Sequence, residues 1–249
     1  MSSPKIRIGT SGYTYAWNKA KPDAFNWYIS QGFNSVEINA SFYRFPTESW
    51  VKNWQSKSPK DFTFSIKVHR SITHYNRLKG KRPVELWERF RKTLEPVIEK
   101  IDFWLFQMPP NYKYNQENMD RIRSFFTDIV RPANKGNIIN DRNCVIEFRD
   151  SSWWKKQPIK EIEKVGISFC SIDAPSLPRS IITINDIVYL RLHGSTNWYT
   201  DVYSEKKLDR FLQHIQKAEA SRKAIYLNND HGMLSNGMYL LNKSQKESK

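Results

Sequence analysis

Ile187-Val-Tyr-Leu-Arg-Leu-His-Gly194 reads as a strand with two unlike faces, Val188, Leu190 and Leu192 on one and Arg191 and His193 on the other. Successive side chains of a strand point to opposite sides, so residue parity separates the faces. The pattern returns in Ser35-Val-Glu-Ile-Asn-Ala-Ser-Phe42, where Val36, Ile38 and Ala40 alternate with Glu37, Asn39 and Ser41. It returns again in Asn143-Cys-Val-Ile-Glu-Phe-Arg149, with Ile146 and Phe148 set against Glu147 and Arg149. Strands of a parallel sheet covered on both faces usually read as nearly unbroken apolar runs. Here one wall carries ionisable groups, which is costly unless they are paired, hydrated or at work.

Working outward, eight strand candidates can be counted: 5–11, 35–42, 62–69, 103–108, 143–149, 167–173, 187–194 and 223–230. Helical patterns fill most intervals, at 23–32, 47–57, 83–100, 115–130, 151–165 and 204–220, with a short segment at 232–241. Thr47 is a plausible N-cap, Pro96 should kink or split its helix, and 174–186 shows no helix. Eightfold alternation of strand and helix is the pattern of a single (β/α)8 TIM-type barrel, here with an irregular or missing helix after strand six. The expected domain covers 1–243, leaving 244–249 as a polar, frayed tail. Parity then sends Ile6, Ile8, Phe64, Ile66, Val68, Trp104, Phe106, Ile225 and Leu227 under the helices with the apolar sets above. The axis receives Glu37, Asn39, Ser41, Ser65, Lys67, His69, Gln107, Glu147, Arg149, Ser171, Asp173, Arg191, His193, Asn228 and Asp230. These polar groups gather toward strand C-termini, where such barrels hold their sites.

Composition narrows the partner. The 249 residues carry 40 Lys and Arg against 25 Asp and Glu, a formal charge of +15 that suits a polyanion, nucleic acid first. Cys144 and Cys170 fall inside strand candidates and indicate neither a disulfide framework nor a zinc site. Met-Ser-Ser-Pro-Lys leads straight into the first strand, which predicts no signal peptide, and no apolar run reaches the ~20 residues of a membrane span. The expectation is a cytoplasmic protein without membrane contact, a monomer by default.

Depth along each strand sorts the candidates. At a rise of ~3.3 Å per residue, Glu37 should lie about 13 Å below Ser41, deep enough for a structural pairing with an inward Arg or Lys. Nearer the mouth, Lys67, Arg149 and Arg191 can hold phosphate oxygens, the Arg side chains in bidentate fashion. Glu147, Asp173, His193 and Asp230 are the acid–base candidates. His69, Arg70, Tyr13, Trp198 and Asn228 complete the expected binding surface. A metal at His69, His193 and His231 with Glu147 or Asp230 is the weaker reading, because Lys67, Arg149 and Arg191 would repel a dication; no cofactor is expected. The loop after strand three, Lys67-Val-His-Arg-Ser-Ile-Thr-His-Tyr-Asn-Arg-Leu-Lys-Gly-Lys-Arg82, holds six Lys or Arg, two His and no acid. Aromatics accompany the other loops at Tyr13, Tyr15, Trp17, Tyr43, Trp153, Trp154, Trp198 and Tyr199, and basic groups among aromatic faces suit unstacked bases. For Trp153 and Trp154 packing against the rim is the preferred role.

Gly9-Thr-Ser-Gly-Tyr-Thr-Tyr15, Val36-Glu-Ile-Asn-Ala-Ser-Phe-Tyr43, Phe62-Thr-Phe-Ser-Ile-Lys-Val-His-Arg-Ser-Ile-Thr-His74, Leu105-Phe-Gln-Met-Pro-Pro110, Val145-Ile-Glu-Phe-Arg149, Tyr189-Leu-Arg-Leu-His-Gly194 and Leu227-Asn-Asn229 with Gly232 form an ordered set. This set resembles the signature of the YecE-like family, a domain of unknown function. The resemblance implies a TIM-type barrel similar in fold to the endonuclease IV-like barrels, and it brings no activity with it. The chain departs from the family pattern at Ser195-Thr196, where an Arg is usual after His-Gly, at Asp230-His231, and at Gly237. The inward Lys and Arg argue against carrying over the three-zinc cluster of the endonuclease IV group. Three functions follow as expectations: a nucleic-acid- or phosphate-binding barrel acting as a phosphodiester or sugar-phosphate hydrolase or lyase; a glycosidase-like or small sugar-phosphate enzyme with paired carboxylates; and a non-catalytic binding barrel.

Overall fold

The structure, a computed structural model, describes residues 5–130 and 143–246. Eight parallel strands alternate with helices: β1 (Arg7–Thr10), β2 (Ser35–Ile38), β3 (Thr63–Lys67), β4 (Ile101–Gln107), β5 (Cys144–Glu147), β6 (Ser168–Asp173), β7 (Ile187–Leu192) and β8 (Arg222–Leu227). Their sheet order is β1-β8-β7-β6-β5-β4-β3-β2, and a parallel bridge between Ser11 and Glu37 joins the two ends of that order. This is the (β/α)8 TIM-type fold. The helices are α1 (Ala24–Ser30), α2 (Ala40–Tyr43), α3 (Glu48–Lys57), α4 (Lys81–Thr93), α5 (Gln116–Val130), α6 (Lys156–Val165), α7 (Glu205–Lys217) and α8 (Met233–Lys246). Among the described residues no helix is long and apolar enough to cross a membrane.

Contacts group the chain into two compact units, one built from residues up to Glu37, Lys57–Phe64 and residues from Cys170 onward, the other from Ile38–Ser56 and Ser65–Phe169. In the first, Val188, Leu190 and Leu192 of β7 and Ile225 and Leu227 of β8 pack with Leu208, Leu212 and Ile215 of α7 and Met233, Leu240 and Leu241 of α8. The α7 spacing of four and three residues brings its apolar side chains onto one stripe. Each fully buried Leu or Ile contributes roughly 1.5–3 kcal/mol of hydrophobic stabilisation. In the second unit, Trp87 and Phe90 of α4 lie 4.9 and 6.3 Å from Trp104, and Phe126 of α5 lies 4.9 Å from Phe106, in edge-to-face geometry.

Local departures from the expected elements have local causes. Strand two stops at Ile38, and Ala40–Tyr43 forms a single helical turn, so parity does not extend to Asn39 and Ser41 and the strand-depth estimate for Ser41 fails. Ser41 Oγ lies 2.7 Å from the Ile38 carbonyl and 2.6 Å from that of Lys67, bonds the turned chain makes possible. Pro96 does divide its helix: α4 ends at Thr93 and a 3-10 turn, Glu95–Lys100, follows. The segment 151–165 is likewise split into a 3-10 turn, Ser151–Trp154, and α6. No helix occupies 174–186. The last helix reaches Lys246 where a frayed tail from 244 was expected; 247–249, and 1–4 at the other end, lie outside the described residues.

Gly9 is fixed by a close approach. A Cβ there would stand 2.3 Å from the Ser35 carbonyl oxygen, and the Tyr28 hydroxyl seals the same seam by accepting from Thr10 N–H and donating to Ser35 O. Replacing Gly9 by Ala should therefore lower unfolding stability by ~2–3 kcal/mol through overpacking, read as a shift in the urea midpoint at unchanged m-value.

Candidate functional site

In the first unit the ionisable wall is a buried network around Glu37. Both Glu37 and Arg191 have side chains 0% exposed, with Arg191 Nη2 2.6 Å from Glu37 Oε1. The Ser11 hydroxyl donates to the same oxygen, and the Tyr189 hydroxyl donates to Oε2 at 2.7 Å. Burial, then the Glu37 charge, drives the Tyr189 phenol well above its ordinary value, which keeps it a donor. The inward cation that Glu37 demands is thus Arg191, the residue expected to clamp phosphate. Arg191 Nη1 also lies 3.3 Å from His193 Nε2. A guanidinium can only donate, so Nε2 is the acceptor and the ring proton resides on Nδ1. Asn228 Nδ2 lies 3.0 Å from Nδ1; for the Nδ1 proton to find its acceptor the amide must stand flipped, oxygen toward the ring. His193 is fully buried, with Trp198 and Tyr199 ring centroids 5.4 and 5.6 Å away.

Asp173, at the end of β6, anchors a second cluster. Its Oδ2 receives the Tyr203 hydroxyl at 2.8 Å, Lys207 Nζ at 3.2 Å and the Ser195 hydroxyl, while Arg179 Nε stands 3.4 Å from Oδ1. Lys207 Nζ also meets Ser195 Oγ. Burial and the Asp173 carboxylate raise the Tyr203 phenol above its usual value. Neither Lys207 nor Tyr203 stood out in the sequence; the neighbouring departure at Ser195 was the available signal. Tyr13 packs its ring 5.1 Å from Phe25 and 6.0 Å from Tyr28. Asp230 opens a 3-10 turn, Asp230–Gly232, at a φ of 42°, and His231 beside it is exposed.

The second unit holds a further constellation. Glu147 is buried at the end of β5 and its Oε1 accepts from Arg149 Nε at 2.7 Å, the arginine side chain being 10% exposed. Gln107 is the register partner of Glu147 on β4; its Oε1 is buried and finds no hydrogen-bond partner among the described residues. Lys67 Nζ lies 4.2 Å from the Phe42 ring centroid, a cation–π contact, and the His74 ring meets the same Phe42 at 4.8 Å. His74 belongs to a π-helical turn, Ser71–Tyr75, closed by Asn76 N–H on Ser71 O at 3.1 Å. Such turns are rare and often occur at functional sites. Burial and then the charges of Lys67 and Arg149 push the His74 imidazole down to about 4, so it is neutral at pH 7.

His69 is a brace. Ser71 N–H and the Ser71 hydroxyl both address its Nδ1, at 3.2 and 2.7 Å, so the proton sits on Nε2 and is shared with the backbone of Tyr43. Burial lowers its pKa. Trp153 is fully buried, stacks 3.9 Å from Phe148 and donates its indole N–H to Tyr112 O, a packing role. Within each unit, then, the structure brings together Arg191 with His193 and Asn228, and Lys67 with Glu147 and Arg149 around His74. Among the described residues no group of three or more His, Cys, Asp and Glu is arranged to hold a metal ion.

The family described as "Protein of unknown function DUF72" matches residues 7–245. The chain belongs to this family. The YecE-like signature seen in the sequence is the same family under another name. A curated DUF72-type relative, "UPF0759 protein YunF" of Bacillus subtilis (strain 168), is 24% identical over 82% of this chain and 79% of its own length. Among solved structures, a DUF72 family protein of Thermotoga maritima superposes with a TM-score of 0.82 at 24% identity, covering 97% of this chain and all (100%) of that one. SacUVDE superposes with a TM-score of 0.60 at 10% identity, over 98% of this chain and 100% of its own, a likeness of fold alone, in line with the endonuclease IV-like fold expected above.

Two measurements probe these networks. Arg191→Met leaves the Glu37 carboxylate buried without its counter-ion and should cost ~3–5 kcal/mol in denaturant unfolding, whereas Glu37→Gln/Arg191→Met should recover at least half of that loss. His74, depressed in the folded state, favours folding fully above its unfolded pKa of ~6.5 and progressively less as pH falls toward 4. Thermal melts should therefore lose stability across pH 6.5 to 4, and the His74→Gln variant should show a shallower loss over the same window.

Proposed function

We propose that this DUF72 protein binds a phosphate-bearing ligand, with nucleic acid first, beside Lys67 and Arg149 at the strand ends of its second unit, and acts there as a phosphodiester or sugar-phosphate hydrolase or lyase. The observation that carries the reading is the setting of His74: its ring and Lys67 Nζ meet the same Phe42, and it feels Lys67, Arg149 and Arg77 against the one carboxylate of Glu147, so cations from β3, the β5 end and the third loop outnumber the acid in one neighbourhood. An anion entering such a field meets donors already oriented, with little reorganisation. Gln107 adds a buried amide at the same strand ends, and the +15 formal charge draws polyanions from a distance. Glu147, held by Arg149 at 2.7 Å, is assigned the role of base. The same cations favour an anion over a dication there, so the reading takes no metal cofactor.

Asp173 and His193 are assigned supporting places in the first unit rather than proton transfer, because Asp173 is occupied by Tyr203, Lys207 and Ser195 and His193 Nε2 by Arg191. The setting proposed is cytoplasmic, with the chain acting as a monomer. Binding of a fluorescent single-stranded oligonucleotide should weaken steeply between 50 and 200 mM salt, the range over which six to ten phosphate contacts would lose ~10³–10⁵ in affinity. Lys67→Gln should lower affinity and reduce the salt slope by ~1, with Arg149→Lys, which keeps Glu147 paired, weakening binding less. Affinity independent of salt and of both substitutions overturns the reading.

A further inference from the structure

Tyr43 and Tyr75 are 58% and 67% exposed, and with Val202 they are the exposed large hydrophobic side chains of the described residues. They come from different elements, α2 and the π-helical turn, yet one guanidinium serves both: Arg70 Cζ stands 5.9 Å from the Tyr43 ring centroid and 5.5 Å from that of Tyr75. The arrangement is braced from beneath. His69 ties the Tyr43 backbone to Ser71, the first residue of the turn that ends at Tyr75. The Tyr43 ring meets Phe42 edge-on at 5.1 Å, and Phe42 in turn carries Lys67 Nζ on its face and His74 at its edge. A tyrosine kept in water loses hydrophobic stabilisation without return unless something covers it, and two such rings sharing an arginine offer exposed aromatic surface beside a cation.

We propose that Tyr43, Arg70 and Tyr75 form a stacking platform for an unpaired base of single-stranded nucleic acid whose adjoining phosphate lies toward Lys67. The proposal rests on the phosphate-binding reading above and adds the partner class. The chemistry of the surface selects it: every base has a π-face that stacks on tyrosine or on a guanidinium plane, whereas a paired duplex keeps its bases inside. An acidic peptide would use the cations and leave the rings uncovered. Because stacking needs no base-edge hydrogen bonds, the platform is expected to tolerate sequence.

The test compares a ten-nucleotide single-stranded thymidine oligomer with its abasic counterpart of equal charge, by fluorescence anisotropy on the full chain. The base-bearing oligomer should bind about tenfold or more tightly than the abasic one, and Tyr43→Ala/Tyr75→Ala should abolish that difference while leaving abasic affinity unchanged. Both positions are exposed, and a wild-type circular dichroism spectrum and melting temperature confirm that the variant folds. Equal binding of the two oligomers by the wild type, both salt-sensitive and both weakened by Lys67→Gln, overturns the platform and leaves the phosphate reading standing. Failure of both oligomers to bind, or binding indifferent to Lys67→Gln, overturns both. A duplex bound more tightly than the single strand also overturns the platform.

Discussion

A carboxylate taken wholly out of water must be met by a cation and by donors, and Glu37 meets that requirement across three strands. Ser11 just past β1, Glu37 on β2 and Tyr189 and Arg191 on β7 are drawn to one point, although the last two lie more than 150 residues along the chain. Slipping any of these strands by one residue would turn its charged member to the helix-packed face, where nothing could pair with it. The network therefore penalises wrong registers more than it rewards the right one. Its net contribution to stability is small, since the attraction mainly offsets desolvation, but its removal from one side alone is severe.

Two-faced strands made the fold legible. Parity on β7 placed Val188, Leu190 and Leu192 under α7 and α8, and by the same rule it put Tyr189 on the charged face, where its hydroxyl proved to be a Glu37 donor. For Tyr189 the sequence signal is its parity with Arg191, which the apolar ring of a tyrosine masks. The rule failed beyond Ile38, where the chain turns helical and Ser41 serves backbone carbonyls instead of the strand face.

The site was legible in composition and opaque in arrangement. The basic bias of 67–82 pointed to the third loop, yet a π-helical turn follows no apolar periodicity that could announce it, and His69 bracing Tyr43 depends on a contact between different elements. Arg149 and Arg191 looked equivalent as residues two apart from, or paired with, inward groups at strand ends. Their surroundings separate them: Arg191 is sealed against Glu37, while Arg149 retains some exposure beside Glu147. Accessibility belongs to the packed molecule, and a one-dimensional pattern carries it poorly.

His74 carries a consequence for proton balance. Its imidazole is held neutral chiefly by burial and by the fields of Lys67 and Arg149, so any anion that cancels those fields also makes room for a proton. Occupancy and protonation are then linked, and linkage is reciprocal: an anion that raises proton affinity is itself held more tightly in acid. Burial, the larger cause, would still hold the imidazole down, so any such coupling belongs to acid solution.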